Sequence, residues 1–326
     1  MLVTGATGGL GLAVTRALIA AGHQVRATGR NAEKAGRLIQ MGAEFRPASL
    51  LDPQALPFLT DSMDGVIHCA ALSSPWGRYG DFHEINVVAT RRLMVMARAA
   101  GAKGFVFVSS PSVYARTCDQ TGLTEDDPIT EHPLNAYAAT KALAEAEVSA
   151  ASDSAMACVS IRPRAIVGPD DTVLLPRVLR LIDRGRFPLV RGGQALIELT
   201  DVRDVAQALV TALERAENLR GDVINISGGK AMRLRDMIRL LSEARAQPVR
   251  IIDLPWPLAA ALARTSETVC RRLPGQPEPP ITFYGLSVLA FSQTFDLTKA
   301  RRLLDYAPRH DAFATALELA ATGGTQ

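Results

Sequence analysis

Thr4-Gly5-Ala6-Thr7-Gly8-Gly9-Leu10-Gly11 stands between a short apolar run at 1–4 and a helical stretch at 10–21. Glycine at this spacing meets three needs of a phosphate-binding turn. The turn is tight, its backbone must come close to a pyrophosphate, and the following helix must pack closely on the strand. The helix N-terminus then offers free N–H groups and a positive dipole end. Glycines also occur at strand–helix junctions for packing alone, but their place after a first strand predicts a dinucleotide site. Gly5, Thr7, Gly8, Gly9, Leu10 and Gly11 are its expected backbone and side-chain contacts.

Outward from this loop, strand and helix signals alternate. Strands are predicted at 1–4, 24–28, 65–69, 104–109 and 158–161, with helices at 10–21, 84–100 and 136–150. That rhythm implies an α/β fold, a doubly wound parallel sheet covered by helices on both faces. After Gly168-Pro169 the rhythm changes, with helices expected at 174–184, 202–214 and 234–244 around strands at 196–199 and 222–226. Residues 274–280 (PGQPEPP) are too rich in proline for regular structure, and helical pieces follow at 297–305 and after Asp311. The expected division is a nucleotide-binding domain over 1–168 and a smaller α/β substrate domain over 169–326, with a segment near 196–216 returning to the first.

Composition narrows the class. The chain has 326 residues, 48% hydrophobic, with a formal charge of +3. It has no dense basic patch interleaved with aromatics, so no nucleic-acid partner is expected. Cys69, Cys118, Cys158 and Cys270 are scattered without CxxC spacing, which speaks against a metal site and for a reduced, cytoplasmic setting. The start of the chain reads as strand and glycine loop rather than a leader peptide, and no membrane span is expected.

The end of the second strand chooses between nicotinamide cofactors. NAD sites usually carry an acid there for the ribose 2′-hydroxyl. Here Val25-Arg26-Ala27-Thr28-Gly29-Arg30-Asn31 has none, and Arg30 supplies charge for a 2′-phosphate, so NADP(H) is favoured over NAD(H). Val66-Ile67-His68-Cys69-Ala70-Ala71 ends in small residues, and Ala70 and Ala71 suit close passage of backbone beside the cofactor.

Two further stretches carry chemistry. Tyr137-Ala138-Ala139-Thr140-Lys141 sets a tyrosine and a lysine four apart, on one face of a helix. A free tyrosine has a pKa of about 10. A nearby ammonium favours the phenolate and makes the tyrosine a usable proton carrier. Val106-Phe107-Val108-Ser109-Ser110-Pro111-Ser112-Val113-Tyr114 is a buried strand that breaks into hydroxyls at its carboxyl end, where ligands of open parallel sheets lie. Ser110 is the expected holder of a substrate oxygen; Ser109 and Ser112 read equally well as caps.

Together, TGATGGLG, VIHCAA, FVSSPSVY, YAATK, IRPRAIVGPDD and FDLTKARRLLDYAP resemble the extended short-chain dehydrogenase/reductase superfamily, the NAD-dependent epimerase/dehydratase family with its Rossmann-type fold. The resemblance runs over nearly the whole chain. It implies catalytic roles for Ser110, Tyr137 and Lys141, a supporting role for Asn86, and cofactor contacts that include Tyr137, Lys141 and Pro163. Relatives often carry a D-L-x-D motif near the adenine. This chain has Ser49-Leu50-Leu51-Asp52, so only Asp52 remains for that contact.

The branch follows from what is missing. Ile161-Arg162-Pro163-Arg164-Ala165-Ile166-Val167-Gly168 lacks the asparagine of sugar-nucleotide enzymes, and Pro111 stands where dehydratases carry acids. Both features resemble the 3β-hydroxysteroid dehydrogenase and β-ketoacid reductase branch. The expected function is interconversion of a ketone and a secondary alcohol on a hydrophobic small molecule, steroid-like or a β-keto or β-hydroxy acid. An epimerase or dehydratase with tightly bound NAD is the alternative. A non-catalytic NADP sensor is a third reading, against which both Tyr137 and Lys141 are retained. The apolar stretch at 254–273 resembles that branch's variable lid, and Arg162, Arg164 and Arg191 are candidates for a substrate carboxylate. The helices at 84–100 and 136–150 imply a homodimer by the same resemblance.

Overall fold

The computed structural model describes residues 1–322. Seven parallel strands form the central sheet in the order Val223–Ile226, Ala157–Pro163, Gly104–Val108, Gly65–His68, Leu2–Thr4, Arg26–Gly29 and Glu44–Pro47. Every residue of Leu2–Thr4, Gly65–His68, Gly104–Val108 and Ala157–Pro163 is buried. Strands covered on both faces read as apolar runs, which is why they stand out in the sequence. The edge strand Glu44–Pro47 is half exposed and carries Glu44 and Arg46, so no apolar run marks it. The order reverses between Leu2–Thr4 and Gly65–His68, and a ligand crevice opens beyond their carboxyl ends.

Helices cover both faces. Gly9–Ala20 packs against Val202–Glu214, joining Val14 and Leu18 to Val205 and Leu209 in one core. On the other face, Ala89–Ala99 and Ala136–Ala150 set Leu93, Ala97, Ala144 and Val148 over Phe105 and Phe107. The helix expected at 84–100 has a π-helical start, Glu84–Val88.

Beyond residue 168 the chain does not stay in one unit. Helix Val202–Glu214 and helix Thr298–Leu304, through Ala300 and Leu304, belong to the first core. Strand Val223–Ile226, which the sequence places in the smaller domain, pairs instead with Ser160–Pro163 at the edge of the main sheet. Its Ile224 and Ile226, on one face of the strand, are buried in the first core, and Asn225 on the other face is buried as well. The remaining elements, Leu175–Asp183, Leu234–Ala244 and Ala312–Ala321, enclose a second core with Phe187, Leu189 and Ile197. Helix Trp256–Arg272 lays Ala259, Ala260 and Ala263 on helix Phe283–Ala290. Residues 274–280 are irregular, as their prolines dictate. Among the described residues no helix is long and apolar enough to cross a membrane.

A buried ion pair joins helix Ala136–Ala150 to the sheet. Arg162 donates from Nε to Glu145 at 2.9 Å and from Nη2 to its other oxygen, and Nη1 reaches the Tyr114 hydroxyl. Its guanidinium also lies over the Tyr114 ring, 4.7 Å from the centroid. Removing one member leaves an uncompensated buried charge, so Arg162→Met is expected to destabilise the fold by about 3–5 kcal/mol. The double variant Arg162→Met/Glu145→Leu should recover most of that loss. Urea unfolding of wild type and the two variants checks the order; a double variant weaker than the single one contradicts it.

Candidate active site

Bare backbone shapes the cofactor end of the crevice. Gly5 has φ +63°, and a Cβ there would lie 2.8 Å from the Cα of Ala70. A Cβ on Gly11 would lie 2.3 Å from the Gly5 carbonyl oxygen. Neither position admits a side chain, so strand end, loop and helix close on one another. Gly8 caps helix Gly9–Ala20 without a side-chain bond, and no acid stands in the first turn. The first-turn N–H groups therefore keep their capacity for an anion, and the cradle fits a dinucleotide pyrophosphate. Thr7 lies against Gly29, while the Asp170 backbone crosses Gly9 and its carboxylate takes two hydrogen bonds from Arg37, at 2.5 and 3.1 Å. Arg30 is exposed just past the second strand. Asp52, also exposed, accepts from the Gln54 N–H at 3.0 Å and so caps its own turn. Leu10, Cys69, Ala71 and Pro163 line the crevice.

A chain of buried hydrogen bonds runs sideways from this cradle. Ala70 N–H donates to Thr4 Oγ1 at 3.2 Å, and Thr4 Oγ1 lies 2.6 Å from His68 Nδ1. On the other side, His68 Nε2 lies 2.9 Å from Thr90 Oγ1, which donates to the Asn86 carbonyl at 2.7 Å. Thr90 spends its proton on Asn86, so His68 donates from Nε2 and accepts at Nδ1 from Thr4. Burial, with Lys141 nearby, pushes the His68 pKa down to about 3, which keeps this neutral tautomer. Asn86 accepts from Leu72 N–H at 2.8 Å and donates to Thr140 Oγ1 at 3.1 Å. Thr140 in turn bonds the carbonyls of Ala136 and Tyr137, so Asn86 grips the helix that carries Tyr137. His68 is a polar residue inside an apolar strand, and that oddity was the available signal for this chain.

Ser110, Tyr137 and Lys141 come together at the carboxyl ends of the strands. Asn135 caps helix Ala136–Ala150 by accepting from Ala138 N–H at 2.8 Å, which fixes the first turn where Tyr137 sits. Ser110 and Ser73 stand near the Tyr137 hydroxyl and line the same cavity. Burial moves its pKa up, and the two serines oppose the shift. Ser73, in the loop after Ala70-Ala71, carries no pattern that sequence reading picks out. Ser110 also accepts from Ser112 N–H at 3.2 Å, so it caps a turn as well as facing Tyr137. Lys141 is buried on the same helix face. It donates to the Val108 carbonyl at 2.5 Å and stands 3.9 Å from the Phe107 ring centroid. Burial pushes its pKa down to about 7. Lys141 and Tyr137 line the same pocket without a direct bond between them. Burial also pushes the Cys69 thiol up to about 12, so it stays protonated beside them.

One cavity of about 940 Å³ runs from Gly9 and Leu10 past these residues into the second core, ending among Val178, Leu181, Phe187, Met237 and Val288. Of the three candidate arginines for a carboxylate, Arg162 is engaged by Glu145 and Tyr114. Arg191 pairs with Asp119 at 2.8 Å and donates to the Ala290 carbonyl at 3.0 Å. Only Arg164 lines the cavity. The expected lid at 254–273 is not its wall, because that helix rests on Phe283–Ala290. The cover comes from Glu278–Thr282 and Tyr284.

The comparisons with known proteins agree with this geometry. The family model described as "NAD dependent epimerase/dehydratase family" matches residues 1–227. The chain is 33% identical over 314 residues to "2-alkyl-3-oxoalkanoate reductase" of Stenotrophomonas maltophilia, covering 95% of this chain and 94% of the other. It is 33% identical over 324 residues to "4-hydroxy-2-methyl-3-oxo-4-farnesyl-3,4-dihydroquinoline-1-oxide ketoreductase" of Stigmatella aurantiaca, covering 99% and 96%. Among solved structures it resembles that of gox2253, with a TM-score of 0.79, 26% identity and coverage of 100% and 99%. With the cradle, the strand-end hydroxyls and the tyrosine–lysine helix in place, the chain belongs to the NAD-dependent epimerase/dehydratase family of extended short-chain dehydrogenases/reductases and is an NAD(P)-dependent enzyme.

Proposed function

We propose that this protein is an NADP(H)-dependent ketoreductase that interconverts a ketone and a secondary alcohol on a hydrophobic substrate. One observation carries the reading: Ser110, Tyr137 and Lys141 line one largely apolar cavity that continues into the second core. Polar reacting groups sit at one end, and room for an alkyl or ring system at the other. Reductase and ketoreductase names among full-length relatives support it.

The bound dinucleotide supplies or accepts the hydride. The backbone of Gly5 to Gly11 would hold its pyrophosphate, Arg30 its 2′-phosphate, Asp52 the adenine side, and Ala70, Ala71 and Pro163 the nicotinamide half. Ser110 fixes the substrate oxygen, and Tyr137, kept protonated by burial, gives that oxygen a proton during reduction. Lys141 offers a positive charge to the phenolate left behind. Asn86 positions the tyrosine helix through Thr140. The cytoplasm is the proposed setting. We also infer a homodimer through helices Ala89–Ala99 and Ala136–Ala150, where Val95 and Leu143 are exposed.

Tyr137→Phe removes the proton donor and keeps the ring, so kcat for NADPH-dependent ketone reduction should fall about 10²- to 10⁴-fold. Steady-state assays alongside melting curves read this, and an unchanged kcat contradicts the assignment. Arg30→Ala should weaken NADPH binding about 10- to 100-fold and leave NADH binding alone. Fluorescence titration decides it; tight NAD carried through purification would favour the epimerase reading instead. Lys141 also links stability to pH. Its pKa is about 7 in the fold against 10.5 ordinarily, so between those values the unfolded chain binds more protons and stability rises with pH. His68 acts only below its ordinary 6.5, and Cys69 opposes only above its ordinary 9.0. Between pH 7 and 9 the cofactor-free wild type should gain up to about 2.5 kcal/mol relative to Lys141→Met, measured by chemical denaturation.

A further inference from the structure

Arg164 follows strand Ala157–Pro163 and is 8% exposed, facing the cavity that also holds Ser110 and Tyr137. Its Nη1 donates to Gln293 Oε1 at 2.7 Å, and Gln293 Nε2 donates to the Pro111 carbonyl at 3.4 Å. The guanidinium is thereby tied to the residue that follows Ser110. Its Nε is buried and has no partner, and it enters no ion pair within 4.0 Å among the described residues. With Nη1 engaged by Gln293, Nε and Nη2 have no hydrogen-bond partner among the described residues. The edge they form is the one on which guanidinium takes a carboxylate through two parallel hydrogen bonds.

A buried guanidinium with an unmet N–H is costly, and a structural role does not explain leaving this edge free. Other arginines around the cavity differ. Arg37, Arg177 and Arg203 are paired with Asp170, Glu278 and Asp201, and Arg16 is exposed on the glycine-loop helix. Glu198 shares the Arg164 end of the cavity but lies outside ion-pair range. Burial moves its pKa up and Arg164 opposes the shift, but the two make no ion pair. Tyr284 lines the same cavity as Arg164 and Tyr137.

We propose that the unpartnered Nε–Nη2 edge of Arg164, which lines the cavity, binds the carboxylate of a 3-oxo or 3-hydroxy acid whose C3 oxygen lies at Ser110 and Tyr137. This rests on the ketoreductase reading above and names its substrate class. In such an acid the carboxylate is two bonds from the reacting carbon, so anchor and reaction centre must be neighbours. Gln293 acts as a positioning residue, holding the guanidinium flat against the Ser110 turn.

Free 3-oxo acids lose carbon dioxide on standing, so the test runs as oxidation with NADP⁺, using 2-butyl-3-hydroxyoctanoate and its methyl ester. Wild type should prefer the acid. Arg164→Gln should raise KM for the acid on the order of 10- to 100-fold while leaving the ester unchanged. Arg164→Lys, which keeps charge without the fork, should fall between. Equal losses on acid and ester in both variants would assign Arg164 a structural role and overturn the proposal. An acid-to-ester ratio unaltered by either variant overturns it too, while the ketoreductase reading stands. Calorimetry of the acid on the NADP⁺-loaded protein separates the two ideas if neither alcohol is turned over. Binding weakened in Arg164→Gln supports the anchor even as the ketoreductase reading fails, and equal binding sinks the anchor as well.

Discussion

The polar chain from Ala70 through Thr4, His68, Thr90 and Asn86 to Thr140 is the constraint on which the site depends. None of these side chains reaches bulk water, so each must find its partner inside the protein. Their order allows one consistent set of donors, with His68 neutral. Three separate pieces are tied by that set: the strand before the glycine loop, the strand ending at His68, and the helix carrying Tyr137. A shift of one would orphan a buried donor in another, at a cost of about 1–3 kcal/mol per group. The π-helical turn at Glu84–Val88 belongs to the same arrangement. It holds Asn86, whose carbonyl serves Thr90 while its side chain serves Leu72 and Thr140.

Electrostatics in the pocket are set more by burial than by pairing. Lys141 would be an ordinary ammonium in water. Enclosed by Phe107 and the Val108 carbonyl, it is held near the boundary between charged and neutral. Tyr137 moves the other way and keeps its proton. Both shifts run against the expectation from the tyrosine–lysine spacing that the ammonium would favour the phenolate, because burial outweighs pairing here. Glu145 lies one helical turn beyond Lys141 and favours its charged form, but its carboxylate is already shared with Arg162. The ion pair that anchors the helix therefore also contributes to the charge of the lysine.

Much of this was legible in the sequence wherever a residue type has few reasons to occur. The glycine loop, the tyrosine–lysine spacing and the hydroxyls after an apolar strand each point to one kind of geometry, and the structure brings Ser110, Tyr137 and Lys141 into one pocket. The inner strands were legible because burial on both faces leaves an unbroken apolar run. Glu44–Pro47 was not, since an edge strand mixes charge with apolar residues. Strand Val223–Ile226 is visible as a strand, yet its place in the chain suggests the wrong unit, because local pattern says nothing about which distant strand supplies its partner. Ser73, Tyr284, Glu198 and Gln293 share that difficulty. Ser73, Glu198 and Tyr284 reach the cavity, and Gln293 reaches Arg164 behind it, from segments far apart in the chain that only the tertiary fold brings together.

Arg162 and Arg164 make the same point at the scale of two residues. Nothing in Ile161-Arg162-Pro163-Arg164 separates their chemistry, and alternation along a strand would put both on one face. Pro163 ends the strand, however, and Ala165 takes φ +37°, so the chain turns immediately after the second arginine. Arg162 stays within the sheet layer, where Glu145 and Tyr114 use its whole donor fork. Arg164 is carried past the strand end to the crevice, where Gln293 uses one nitrogen and leaves an edge open. A donor fork filled on all sides holds a fold together. One held from one side only, with its other nitrogens unpartnered beside a cavity, is the arrangement on which the proposed carboxylate anchor rests. The difference lies in the turn at Pro163 and Ala165, which is where this fold hands over from structure to recognition.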